Sequence, residues 1–220
     1  HFHQSGATME QIDLVALSHL HPDHSAELPA ILWPGGGSFD LAGPTGSDVF
    51  PSISRFKDLV FGEAGVYEIF RGRVDINVIE LATSELTPVW QQDNITVTAM
   101  GVPHGDVPTL GYRIKVGDLS IGFTSDQKGS NPIFVDFIRG VDSLVIHMAA
   151  NENATGFIAD LHATPSVWGQ MAEAANVGQV VVSHISSSDP DQLQENLQIL
   201  ADNYSGDILV AEDMMCVDLP

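Results

Sequence analysis

Apolar positions along this chain fall into short runs separated by polar, glycine and proline breaks, and their spacing predicts alternating strands and helices. Residues 12–18, 143–147 and 179–183 are strand-like apolar runs, and each ends on or beside a histidine. Residues 95–101 alternate as a strand does, and 110–116 with 119–124 predict a hairpin around Gly117-Asp118. Ile53–Phe61 has helical spacing at Ile53, Phe56, Leu59 and Val60, after the start signal Pro51-Ser52. Residues 25–33 read as a helix that the glycines at 35–37 break. Three further helices are predicted to start at Asn131-Pro132, Thr164-Pro165 and Asp189-Pro190, where a capping residue precedes a proline at the first helical position. A last strand is expected over 207–211. The glycine- and proline-rich stretch 34–51 is the most loop-like and is expected to form a mobile flap. With no internal repeat or low-complexity linker, the pattern predicts one α/β layered domain over residues 1–220.

Length and composition narrow this picture. A chain of 220 residues can bury a sizeable core. No apolar run approaches the length of a membrane span, so no membrane partner is expected. Eight basic residues face twenty-nine acidic ones, a net charge of −21. Such a surface repels nucleic acid, which binds through clustered Lys and Arg, so tRNA or another long nucleic acid is expected to be a poor substrate. The single cysteine, Cys216, excludes an intramolecular disulfide and reads as a small buried apolar residue. The acidic, cysteine-poor composition leans towards an exported protein. The first residue is His1 rather than Met, so an upstream segment is expected to have been removed or left out.

One stretch carries concentrated chemistry. Ser18-His19-Leu20-His21-Pro22-Asp23-His24 places three imidazoles and a carboxylate directly after a predicted strand. In an extended segment His19 and His21 point to the same side and can share one ion. Asp23 and His24 follow where the chain turns into a helix and can face a second ion. Pro22 stiffens the loop and lowers the entropy cost of presenting these groups. Imidazole nitrogen with carboxylate oxygen suits zinc, and also manganese or iron. The alternative is a solvated polar loop, but such loops seldom concentrate ligand chemistry so densely.

The run His19-Leu20-His21-Pro22-Asp23-His24 resembles the H-x-H-x-D-H signature of the metallo-β-lactamase superfamily. The resemblance implies a four-layer αββα sandwich and a dinuclear metal site. It further implies a later lone histidine, an aspartate between the ions and a final histidine, each after a strand. The chain offers His104 in Val102-Pro103-His104-Gly105, Asp126 in Thr124-Ser125-Asp126 and His184 in Val182-Ser183-His184. One divalent ion, zinc by expectation, would then take His19, His21 and His104, and a second Asp23, His24 and His184, with Asp126 between them. Leu161-His162-Ala163-Thr164-Pro165 resembles the corresponding run of the ribonuclease Z-like phosphodiesterase subgroup, where the histidine serves the scissile phosphate or the leaving group. That makes His162, with Asp23, the expected catalytic pair. The subgroup often has His-Glu where this chain has His147-Met148, so His147 reads as supporting the ligands rather than joining them.

Two departures qualify the resemblance. The family places strands ahead of the histidine cluster, which here begins at His19, so the first sheet is expected to be completed by a segment or partner outside this chain. Separately, a homodimer is an expected assembly. Only twenty-one residues separate His104 from Asp126, which leaves no room for the long tRNA-gripping arm of tRNA-processing members. The expected function is therefore a dinuclear hydrolase acting on a small-molecule ester, a phosphodiester first. A lactonase, sulfatase or β-lactamase-type hydrolase on the same site is the alternative, and a non-catalytic metal-binding scaffold is the alternative of another class.

Overall fold

The computed structural model describes residues 2–33 and 35–220; His1 and Pro34, the first residue of the expected flap, lie outside the described residues. Two sheets organise the chain. The first contains three parallel strands in the order β1 (Leu14–Ala16), β2 (Gly37–Pro44) and β3 (Val74–Leu81). The second begins with the antiparallel strands β4 (Thr87–Gln92), β5 (Ile95–Val102), β6 (Thr109–Val116) and β7 (Leu119–Phe123). It continues in parallel through β8 (Ser143–Met148), β9 (Gln179–Ile185) and β10 (Asp207–Val210).

The alternation of side chains along β2 shows how the layers stack. Phe39 and Leu41 pack with Leu28, Leu32, Ile53 and Phe61, beneath the helices α2 (Leu28–Leu32) and α3 (Ile53–Phe61). Ala42 faces the opposite way, into a second apolar layer with Leu81, Val97, Ala99, Leu110 and Tyr112 between the sheets. On the far face of the second sheet Leu144, Ile146, Val180 and Val182 bury against α4 (Pro132–Phe137), α6 (Pro165–Ala174) and α7 (Pro190–Asn203), through Phe134, Trp168 and Leu200. Helix, sheet, sheet, helix is the expected αββα order.

The differences from expectation have local causes. The helix expected over 25–33 is the shorter α2, and Ser25 instead ends a separate helix, α1 (Pro22–Ser25). Pro29 lacks an N–H and would collide with the carbonyl of Ser25 in a continuous helix, so the chain restarts with Pro29 in the first turn. Within the expected flap, residues 37–44 form β2, central in the first sheet. Its Gly43 is not a turn glycine: a Cβ there would lie 2.8–3.0 Å from the Ile53 side chain, so its absence lets α3 sit close on the strand. Strands β3 and β4 are not among the expected elements. Cys216 is exposed rather than buried, because it falls in a C-terminal segment without regular structure that lies over no apolar layer. Among the described residues no helix is long and apolar enough to cross a membrane.

Candidate metal centre

The ends of β1, β5, β7, β8 and β9 deliver the chemistry-bearing side chains to one place. At the end of β1 the Tyr112 hydroxyl donates to the Leu17 carbonyl at 2.8 Å, and the Leu110 N–H donates to the Ser18 carbonyl at 2.9 Å. These bonds pin the strand end to the second sheet just before His19. His21 caps α1, whose proline start sets Asp23 and His24 on the first turn. His104 follows β5, and its Nδ1 donates to the Leu161 carbonyl at 3.0 Å, which leaves Nε2 as a bare lone pair. Ser125, before Asp126, has a positive φ of 55°, and its hydroxyl donates to the Leu110 carbonyl at 2.6 Å. His184 also has a positive φ, 46°, because β8 and β9 slip register beside it: His147 pairs with Ser183 and Met148 with Ile185. It is the extra residue of a β-bulge, turned out of the ladder towards the other ligands.

The resulting distances describe two polyhedra. His19 Nε2 lies 3.0 Å and His104 Nε2 3.4 Å from His21 Nδ1. On the other side, Asp23 Oδ2 lies 3.5 Å from His24 Nε2 and 3.3 Å from His184 Nε2. Asp126 Oδ2 is 3.5 Å from His24 Nε2 and 3.7 Å from His184 Nε2. A tetrahedral zinc with bonds of about 2.0–2.1 Å has ligand–ligand edges of about 3.3–3.4 Å. The two groups, His19/His21/His104 and Asp23/His24/His184 with Asp126 beside them, can each hold a metal ion. Buried His24 Nε2 has no hydrogen-bond partner, as expected of a nitrogen whose partner is a cation.

Electrostatics suit the same task. Burial pushes His19 down to about 2, with neighbouring histidines adding to the effect, so it stays neutral with a lone pair to offer. His104 is lowered chiefly by burial as well. For His24 burial works downward, but the nearby carboxylates of Asp126 and Asp23 outweigh it and raise the group. Burial alone would raise the Asp126 carboxyl; the nearby His24, His147 and His184 instead hold it well below the usual carboxylate range. A cavity of about 450 Å³ between the sheets adjoins the centre, lined by Leu14, Val97, Tyr112 and Phe123 as well as Asp126 and His147. Its apolar wall keeps the local dielectric low and the charges effective.

His162 follows α5 (Phe157–Leu161), a helix not expected from the sequence, and its Nδ1 lies 3.8 Å from Asp126 Oδ2. The loop that carries it leads into α6, whose first turn is capped from a distance. Glu152 accepts from the Ser166 N–H at 3.0 Å and from the Ser166 hydroxyl at 2.6 Å. No local sequence signal marks Glu152, because its partner lies fourteen residues on. His147 is buried in the same cluster, its Nδ1 donating to the Ser125 carbonyl at 2.8 Å.

Comparison with known proteins adds the following. A family model described as a beta-lactamase superfamily domain matches residues 1–185. Ribonuclease Z of Mycobacterium bovis (strain BCG / Pasteur 1173P2) is 27% identical, over 94% of this chain and 80% of that protein. Two solved structures share the fold. The metallo-beta-lactamase fold protein YhfI from Bacillus subtilis matches with a TM-score of 0.72 and 19% identity, over 94% of this chain and 77% of that one. Human tRNase Z, short form, matches with a TM-score of 0.71 and 18% identity, over 100% of this chain and 83% of that one. These relatives overturn the expectation of a small-molecule ester substrate with tRNA a poor one. The physical error lies in reading net charge as local field: at a site that holds divalent cations, the ions themselves set the sign seen by a phosphate. The signature residues, the four layers and the family match agree, and the chain belongs to the metallo-β-lactamase superfamily as a metal-dependent hydrolase of ribonuclease Z-like relationship.

Proposed function

We propose that this chain is a dinuclear zinc phosphodiesterase that cleaves phosphodiester bonds of RNA, tRNA among its substrates. The observation that carries the reading is the pair of ligand groups on either side of Asp126, with His162 Nδ1 3.8 Å from that carboxylate. His19, His21 and His104 hold one ion; Asp23, His24 and His184 hold the other, and Asp126 lies between them. When bound, the two cations supply Lewis acidity, withdrawing charge from the phosphoryl oxygens and acidifying the attacking water. Asp23, with its side chain largely exposed, would help hold the second ion and has a carboxylate oxygen free to accept a hydrogen bond from the attacking water. His162, beside the centre and reachable from solvent, gives a proton to the departing ribose oxygen. The ribonuclease Z relatives support RNA as the substrate class.

The test uses zinc-reconstituted protein, with metal content measured alongside cleavage of bis(4-nitrophenyl) phosphate and of a labelled tRNA bearing extra 3′ nucleotides. Two zinc ions per chain and chelator-sensitive cleavage of both substrates are expected. Metal-replete protein that cleaves a lactone panel but neither phosphodiester would overturn the reading.

A further inference from the structure

Behind His162 lies a group of buried polar atoms that ligand binding does not use. His147 is 3% exposed, and its Nδ1 lies 2.8 Å from the Ser125 carbonyl. A carbonyl oxygen only accepts, so Nδ1 carries the ring proton and Nε2 is an unprotonated acceptor. That Nε2 has no partner, and neither has the buried Nδ1 of His162. The two rings sit 5.1 Å apart at an angle of 66°, and ligand atoms of His147, His162 and Asp126 lie within 4.8 Å of one another. Trp168, fully buried, packs edge-on against His147 with ring centroids 4.9 Å apart and keeps the imidazole from turning. Buried acceptors without donors are rare in folded proteins, and a spacing too long for a direct bond but lined by polar atoms is the space a water fills.

We propose that His147 is a positioning residue: through one buried water its Nε2 accepts the Nδ1–H of His162, and so fixes the tautomer that presents His162 Nε2 to the substrate. Within the cluster of Asp126, His147 and His162, the first two offer only acceptors and together take both hydrogens of the shared water. His162 Nδ1 therefore donates to that water, which leaves Nε2 as the nitrogen that takes up the second proton, forming the imidazolium, and hands it to the leaving oxygen. This rests on the catalytic role given to His162 above, but the arrangement is readable without turnover.

The test exploits the partial resemblance of two amides to imidazole. His147→Asn keeps a donor near the position of Nδ1, able to reach the Ser125 carbonyl, and removes the acceptor at Nε2. His147→Gln restores an acceptor near Nε2. In zinc-loaded protein labelled with ¹⁵N-histidine, wild type is expected to show His162 as a single tautomer with the proton on Nδ1. His147→Asn is expected to show mixed tautomers and His147→Gln a return towards one. With an alkyl phosphodiester, His147→Asn is expected to lower kcat about tenfold at unchanged KM, as loss of an outer partner typically does. The loss should vanish on a His162→Ala background. An unaltered His162 tautomer in folded, two-zinc His147→Asn protein would overturn the proposal. So would a third equivalent of zinc in wild type that disappears in this variant, since the triad would then hold a metal. If no phosphodiester is cleaved at all, the functional reading fails while the ¹⁵N pattern still decides this one.

Discussion

An imidazole in this centre works only when the right nitrogen is bare, and neighbouring oxygens decide which one that is. The Leu161 carbonyl fixes His104 and the Ser125 carbonyl fixes His147, each by taking the hydrogen of Nδ1. His162 is different in kind, because the proposed reaction asks it for a proton rather than a lone pair. Replacing it with asparagine is expected to slow cleavage of RNA, whose ribose leaving oxygen needs that proton, by about 10²–10⁴-fold. Hydrolysis of a 4-nitrophenyl ester, whose leaving group departs unprotonated, should fall far less; equal losses on both substrates would remove the proton-donor role. Tyr112 acts through a carbonyl too. Tyr112→Phe leaves the Leu17 carbonyl without its donor and is expected to cost about 1–1.5 kcal/mol in urea unfolding. The dense run from His19 to His24 was legible because its chemistry is local. His104, Asp126 and His184 could be picked out only as an ordered set, and the contact between His147 and Ser125 not at all, since it exists only because β7 and β8 are neighbours.

Elements whose signals are local were readable for the same reason. Proline after a capping residue marked the starts of α4, α6 and α7, and the hairpin of β6 and β7 closes on Gly117-Asp118. Strand β2 was hidden because glycine and proline at its ends mimic a loop, while the reason for Gly43 lies in Ile53, ten residues on. Strand β3 alternates from Val74 to Val78 as a half-buried strand should, so its signal is present in the sequence. Helix α6 depends on something no window could see. Its N-cap residue, Thr164, makes no side-chain cap bond, and Glu152 serves the first turn instead. Glu152→Ala is expected to destabilise the fold by about 1 kcal/mol, as loss of a cap does. It should also quicken hydrogen exchange at Ala163 and Thr164, the residues that join His162 to the helix. An unfolding midpoint equal to wild type would show that the distant cap carries no weight.

Across the whole molecule the dominant quantity is charge. If the substrate is RNA, as proposed, a net of −21 would meet a polyanion, and encounter would be repulsive except where bound cations set the local sign. Added salt screens that repulsion over a Debye length of about 10 Å at 0.1 M. The KM for RNA is therefore expected to fall, roughly twofold or more, between 50 and 200 mM salt, a sign opposite to that of basic nucleic-acid binders. A KM that climbs steeply over the same range would mean that a local basic surface governs docking. The two sheets meet this chemistry through one irregularity, the surplus residue between the His147–Ser183 and Met148–Ile185 pairs. Shortening β9 by a single residue there would mend the ladder, relieve a left-handed backbone and bring the sheet nearer to its ideal geometry. The same deletion would withdraw His184 from the centre. At this one peptide, selection for a more robust scaffold and selection for a working catalyst pull in opposite directions, and the defect persists only while the second prevails.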